Sequence, residues 1–217
     1  MKKLIVFMFS IVLLGSCNKP SEYIEIPDEN FEYHLILNGI DDYIDGQVLR
    51  ASAEAATELD LISSGPSGNF DYKITSLSGI EEFINLTRIT SRYNELAGTV
   101  DISSLVNLVE LEIINLTNEY LLVLGDIRNL GYVTAGMLTN TSLDFTNNSN
   151  LKRLNLYGEL LNCINLKFIA PPQSIHSYWI DCPDLNCVEV SNPNEWKAVY
   201  PNGWNGNADI FSINCGC

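Results

Sequence analysis

Two histidines, six cysteines and a scatter of carboxylates are the residues of this 217-residue chain that could do chemistry. His176, Asp181 and Cys182 fall close together, and a cysteine beside a histidine is the pairing that generates a thiolate nucleophile. Disulfide formation competes for Cys182, because exported cysteines in an oxidising compartment pair. His34 and His176 form no HExxH motif, and the cysteines lack four-ligand zinc spacing. Asp41, Asp45 and Gly46 echo positions one, five and six of a calcium loop, but Tyr43 and Ser52 stand where the third and twelfth ligands belong. A solvated acidic turn is the expectation there. No GxSxG elbow, P-loop or GxGxxG occurs, so neither a cofactor nor a resident metal is expected.

The elements that must position these residues belong to one domain. Hydrophobic side chains make up 46% of the chain, enough for one sizeable core. Acids outnumber bases 27 to 12, for a formal charge of −15, which argues against nucleic acid as a partner. No run of 18 apolar residues is present, so no membrane-spanning helix is expected.

The first residues read as an address. Met1-Lys2-Lys3 is a positive n-region, Leu4 to Leu14 an apolar run, and Leu14-Gly15-Ser16-Cys17 closes on a cysteine. This resembles the lipobox of bacterial lipoproteins, in which cleavage precedes an acylated cysteine. The resemblance implies a signal peptide at 1–16, lipid attachment at Cys17, a tether at 17–23 and a place in the bacterial cell envelope, at the outer membrane or cell surface. Removing Lys2 and Lys3 takes the charge to −17.

A repeat fills the middle of the chain. Leu86-Thr-Arg-Ile89-Thr-Ser91, Leu108-Val-Glu-Leu111-Glu-Ile113, Leu130-Gly-Tyr-Val133-Thr-Ala135 and Leu151-Lys-Arg-Leu154-Asn-Leu156 share L-x-x-L-x-L, at spacings of 22, 22 and 21 residues. Alternating apolar residues turn one side of a short strand inward. The second half of each unit, as in Leu161-Asn-Cys163-Ile164-Asn-Leu166 and Leu185-Asn-Cys187-Val188-Glu-Val190, brings the chain back so that strands stack in parallel. The expected fold is α/β leaning to mainly β: a short leucine-rich-repeat solenoid with an N-terminal helical cap at 24–55, repeats at 56–190 and a C-terminal cap at 191–217. Pro27 is expected at a first helical position, Asn38-Gly39 as the helix stop, a short helix near Ala51 to Ala56, turn-rich stretches at Ser191–Trp196 and Asn202–Gly206, and a last short strand in Asp209–Ile213.

Ile26-Pro27-Asp28-Glu29-Asn30-Phe31, Leu77-Ser78-Gly79-Ile80-Glu81 and Leu185-Asn186-Cys187-Val188-Glu189-Val190, together with Trp204, Ile210-Phe211-Ser212 and Cys215, resemble the leucine-rich-repeat, internalin-like surface proteins of Bacteroidota over residues 24–217. The consensus asparagine after the strand stands at Asn94 but is replaced by Leu116, Leu138 and Glu159, so a mostly absent asparagine ladder is expected. The resemblance implies a Cys187–Cys215 closure of the cap. Cys163 and Cys187 hold equivalent places on adjacent rungs, so a bridge between them also stays open. With Cys17 acylated, five cysteines leave one outside any intramolecular pair.

Function is expected to be binding without catalysis. Outward strand positions on successive rungs line up as one surface, here including Arg88, Arg92, Tyr132, Lys152, Arg153, Tyr157, His176 and Trp179. Arginine and aromatic residues are the usual anchors of protein interfaces. The aromatic side chains could instead stack on sugar rings, so the expected partner is a protein or a glycan; a hydrolase using His176 and Cys182 is a third reading.

Overall fold

The computed structural model describes residues 20–63, 72–117, 119–157, 160–171, 178–204 and 207–216. Along the chain run β1 (Tyr23–Glu25), α1 (Glu29–Leu37), β2 (Gln47–Leu49), α2 (Arg50–Ala55), β3 (Glu58–Ile62), β4 (Arg88–Asn94), β5 (Gly98–Asp101), β6 (Glu110–Asn115) and β7 (Tyr120–Val123). Then come β8 (Tyr132–Gly136), β9 (Ser142–Asp144), β10 (Arg153–Tyr157), β11 (Cys163–Asn165), β12 (Tyr178–Asp181), β13 (Cys187–Glu189), α3 (Pro193–Val199) and β14 (Phe211–Ser212).

Odd and even halves of the repeat separate into two walls. One wall is a six-stranded parallel sheet in the order β3, β4, β6, β8, β10, β12. The other is the return path, with β5 paired to β7 and β9, β11, β13 and β14 paired in series, again all parallel. The leucine-rich-repeat solenoid read from the spacing is therefore the fold.

Each wall contributes one buried residue per rung at each inward level. Leu59, Ile89, Leu111, Val133 and Leu154 are in register across the first wall, while Leu122, Leu143, Ile164 and Val188 repeat the pattern on the return path, all buried. At roughly 2 kcal/mol for each large apolar side chain buried, no single rung offsets its chain entropy, but a stack of them does.

Asparagines stitch successive rungs together, which corrects the expectation of a mostly absent ladder. Asn94, Asn115 and Asn140 are all buried. The Asn94 Oδ1 accepts from the backbone N–H of Ile74 and its Nδ2 donates to Leu61 O. Asn115 bonds both backbone groups of Leu96, and Asn140 both of Leu122. A bulge between Arg92 and Asn94, with Tyr93 at φ +61°, shifts the register so that Asn94 pairs with Asn115 rather than with Leu116. Asn140 reaches its rung from two residues beyond Leu138.

The N-terminal cap is bolted on by one carboxylate. Asp28 caps α1 by accepting from the N–H groups of Asn30 and Phe31, while its second oxygen accepts from Thr75 N, Thr75 Oγ1 and Ser76 N at 2.7–2.9 Å. Pro27 thus lies one residue before the cap, not at the first helical position, because Asp28 is the better N-cap. Gly79 (φ +99°) lets the first rung approach the cap: a Cβ there would fall 2.7 Å from Glu25 O. The open edge of β3 is occupied by Asn38, whose side chain accepts from Asp60 N and donates to Asp60 O.

At the other end, the turn-rich stretch expected at Ser191–Trp196 is corrected by α3. Asn192 caps it and Pro193 occupies its first turn, so the turn-like Asn-Pro pair is a helix start. Trp196, Tyr200, Trp204 and Phe211 form a buried aromatic cluster, with Trp204 and Phe211 ring centroids 5.4 Å apart. These cap tryptophans support the solenoid end and present little surface.

Candidate binding surface

The outward side of the six-stranded sheet consists of three columns. Glu58, Arg88, Glu110, Tyr132 and Arg153 form the first, and Asp60, Thr90, Glu112, Thr134 and Asn155 the second. Ile62, Arg92, Ile114, Gly136 and Tyr157 form the third, continued by Asp181. Trp179 takes the register position beside Asn155, one column away from Tyr157. Lys152 is exposed and precedes β10, so it lies on the entry rim, its N–H bonded to Gly131 O. His176 and Cys17 lie outside the described residues.

Register decides which charges meet. Arg88 is ion-paired with Glu58 on the neighbouring strand, and Arg92 grips Glu112 through two bonds of 2.6 and 2.7 Å. Both guanidiniums are thereby pushed to higher pKa, chiefly by these carboxylate hydrogen bonds. Exposed pairs of this kind add little stability; their larger effect is to tie both guanidiniums to carboxylates on neighbouring strands. Glu58, Asp60, Glu110 and Glu112 outnumber Arg88 and Arg92, so the first three strands present net negative charge.

Farther along, the surface turns neutral and aromatic. The Arg153 guanidinium stands 5.7 Å from the Tyr132 ring centroid, a contact worth about 0.5–1 kcal/mol at an exposed site. Asn155 Nδ2 donates to Thr134 Oγ1 at 3.3 Å. Tyr157 is 37% exposed and lies against Gly136, where a Cβ would stand 3.5 Å from its own. Tyr132, Arg153 and Tyr157 are thus brought together on adjacent strands, while Arg88 and Arg92 sit at the acidic end.

Among the described residues, cavities open beside the sheet and on the return side. One of about 320 Å³ lies between α1 and β3 and is lined by His34, Leu37, Asn38, Asp60 and Ile62. Sequence reasoning missed it, because its walls come from elements 22 or more residues apart that only cap docking joins. The second, about 430 Å³, opens on the return side and is lined by Ser76, Ser78, Thr99, Asp101, Ser103 and Ser104 among others.

The acidic turn at Asp41–Gly46 is organised from within. Buried Glu32 accepts from the backbone N–H groups of Asp45, Gly46 and Gln47 at 2.8–3.0 Å. Among the described residues no cluster of three or more His, Cys, Asp or Glu is arranged to hold a metal ion.

Cys187 is joined to Cys215, with 5.8 Å between their Cα atoms. Cys163 sits in register with Cys187 and is itself disulfide-bonded, but not to Cys187, which removes that alternative. Disulfide pairing is not the role of Cys182, contrary to expectation: it keeps its thiol and packs, fully buried, in the core. A thiol enclosed by apolar neighbours acts as a small hydrophobe and lacks the exposure a nucleophile needs.

No family model matches the chain, and no curated protein matches it. Among solved structures it is similar to the functional domain of InlJ from Listeria monocytogenes, described as including a cysteine ladder, at 19% identity over 82% of this chain and 46% of that one, with a TM-score of 0.44. It is also similar to the internalin InlF from Listeria monocytogenes, at 16% identity over 77% of this chain and 65% of that one, with a TM-score of 0.43. The chain spans less than two thirds of the length of either structure.

Proposed function

We propose that this chain is an exported, lipid-anchored binding module of the bacterial cell surface, acting without catalysis, whose strand face recognises another protein. The observation that carries the reading is the run of Tyr132, Arg153 and Tyr157 on neighbouring strands, with Arg88 and Arg92 ion-paired at the acidic end of the same sheet. Stiff aromatics lose little rotamer entropy on binding, and truncating such an anchor commonly costs about 2 kcal/mol or more. Cross-linking on intact cells, followed by identification of what is captured, tests the proposal. Tyr132→Ala with Tyr157→Ala should weaken capture at least ten-fold while circular dichroism stays unchanged. Capture as strong as that of the parent would remove the strand face as the site.

Anchoring is tested separately. Cys17→Ser should abolish acyl labelling and release the chain from the membrane fraction; unchanged fractionation and labelling would sink the lipoprotein reading.

A second reading, glycan capture for a nutrient-uptake system, is favoured by the return-side cavity, whose serine and threonine hydroxyls and Asp101 carboxylate could bond sugar hydroxyls. A glycan array separates the two. Binding abolished by Asp101→Ala and insensitive to Tyr157→Ala would favour the sugar.

A further inference from the structure

The cavity between α1 and β3 has three properties that point to one kind of occupant. Asp60 contributes its carboxylate; its backbone N–H and C=O are both taken by Asn38, but among the described residues its side chain makes no hydrogen bond or ion pair. Arg88 and Arg92 stand near enough to feel Asp60, yet their guanidiniums are committed to Glu58 and Glu112. Leu37, 62% exposed, and half-buried Ile62 supply apolar walls beside the carboxylate.

The third property is direction. Leu37 ends α1 and Asn38 is its C-cap, so the cavity opens at the helix C-terminus, where aligned peptide dipoles place negative potential within the last turn. His34, the one basic side chain in the lining, is buried and hydrogen-bonded with Ser63, and burial holds its pKa below the usual value, so it adds no opposing charge at neutral pH.

We infer that this cavity is a socket for a cationic side chain, Lys or Arg, of the protein that docks on the strand face: the aliphatic stem lies along Leu37 and Ile62 and the charged head meets Asp60 at the end of α1. Long cationic side chains favour such a site because stem and head want different surroundings. The socket adjoins the acidic end of the sheet through Asp60 and Ile62, which are also the first members of the second and third columns. A basic partner segment would therefore enter there and continue toward Tyr132 and Tyr157. This deepens the binding reading and rests on it.

The probe is the pentapeptide acetyl-Gly-Gly-Lys-Gly-Gly-amide, compared with its norleucine analogue, which has the same stem without the charge. Titrated into isotopically labelled protein at low salt, the lysine peptide should move the amide resonances of Asn38, Asp60 and Ile62 saturably, at least five-fold more tightly than the norleucine peptide. Asp60→Asn keeps the backbone bonds to Asn38 and should bring the lysine peptide down to the norleucine level; Leu37→Ser should weaken both peptides. Equal response to the two peptides, an unchanged response in Asp60→Asn, or shifts centred on Glu110 and Glu112 would each overturn the socket. The titration reads the socket alone and cell capture reads the face. Capture that ignores Tyr132 and Tyr157 with an intact lysine response overturns the face reading, whereas capture that depends on them without a lysine response overturns the socket.

Discussion

Asn115 holds Leu96 by both backbone groups: its Nδ2 donates to Leu96 O at 2.7 Å and its Oδ1 accepts from Leu96 N at 3.1 Å. The two residues lie on successive rungs, one at the end of a front strand and the other where the previous rung turns back, so the amide ties neighbouring turns of the solenoid. Asn115→Ala would leave a buried N–H and a buried C=O short of a partner, each costing about 1–3 kcal/mol. The expected loss is about 2–4 kcal/mol in urea unfolding. A loss below about 0.5 kcal/mol would mean that the amide carries no inter-rung load.

The ladder also shows where sequence reading stops. Leucine spacing revealed the period because Leu86, Leu108, Leu130 and Leu151 each fill the same buried place. The asparagines hid because a bulge at Tyr93 sets Asn94 one residue farther past its leucine than Asn115 is past its own, and nothing about a tyrosine advertises φ +61°. Outward residues were readable from alternation, whereas their pairing was not: Arg92 with Glu112 is a diagonal contact that needs the register of β4 on β6. The socket at Asp60 was illegible for a different reason, since it exists only once α1 docks on β3. Helix α3 was hidden by Asn192-Pro193, a pair that starts turns and helices alike.

One rung carries a removable defect. Phe83, Leu105, Ile127 and Ile169 occupy the same buried turn position on their rungs, but Asn148 fills it on the fourth, with its Oδ1 buried and unpartnered among the described residues. Its Nδ2 donates to Ile127 O, which already accepts from Leu130 N, so losing the side-chain bond orphans nothing. Asn148→Leu should raise stability by about 1 kcal/mol in urea unfolding, through relief of the stranded oxygen and added apolar burial. A leucine variant less stable than the parent would show that the amide is satisfied in solution.

The Cys187–Cys215 bridge closes a loop spanning 28 residues, and the loop-entropy model assigns it about 3.5 kcal/mol. Cys187→Ala with Cys215→Ala should lower stability by that order, with faster amide exchange first at Val190, whose N–H donates to Ser212 O. Non-reducing peptide mapping checks the connectivity. Recovery of Cys187 joined to Cys163 would remove the assignment, as would native alkylation of Cys187; Cys182 should react only after unfolding.

Acid should loosen the N-terminal cap in two steps. His34 is buried, and burial holds its pKa below 6.5, so the unfolded chain binds this proton more readily than the folded one. Its contribution is therefore fully present above about pH 6.5 and falls as pH drops from that value through the folded pKa. Asp28 acts lower. Burial pushes its carboxyl up, but hydrogen bonds from the Thr75 hydroxyl and the N–H groups of Phe31, Thr75 and Ser76 outweigh that and bring it below 3.8. Its contribution is present above about 3.8 and is lost as pH falls through the lower folded value. His34→Gln should flatten the stability profile just below about pH 6.5 and leave the loss below 3.8 in place, whereas Asp28→Asn should do the converse while weakening the cap at every pH, because an amide cannot accept at both oxygens' places. A profile in His34→Gln that still falls as pH drops below 6.5, before the loss at 3.8 begins, would show that another group sets the first step.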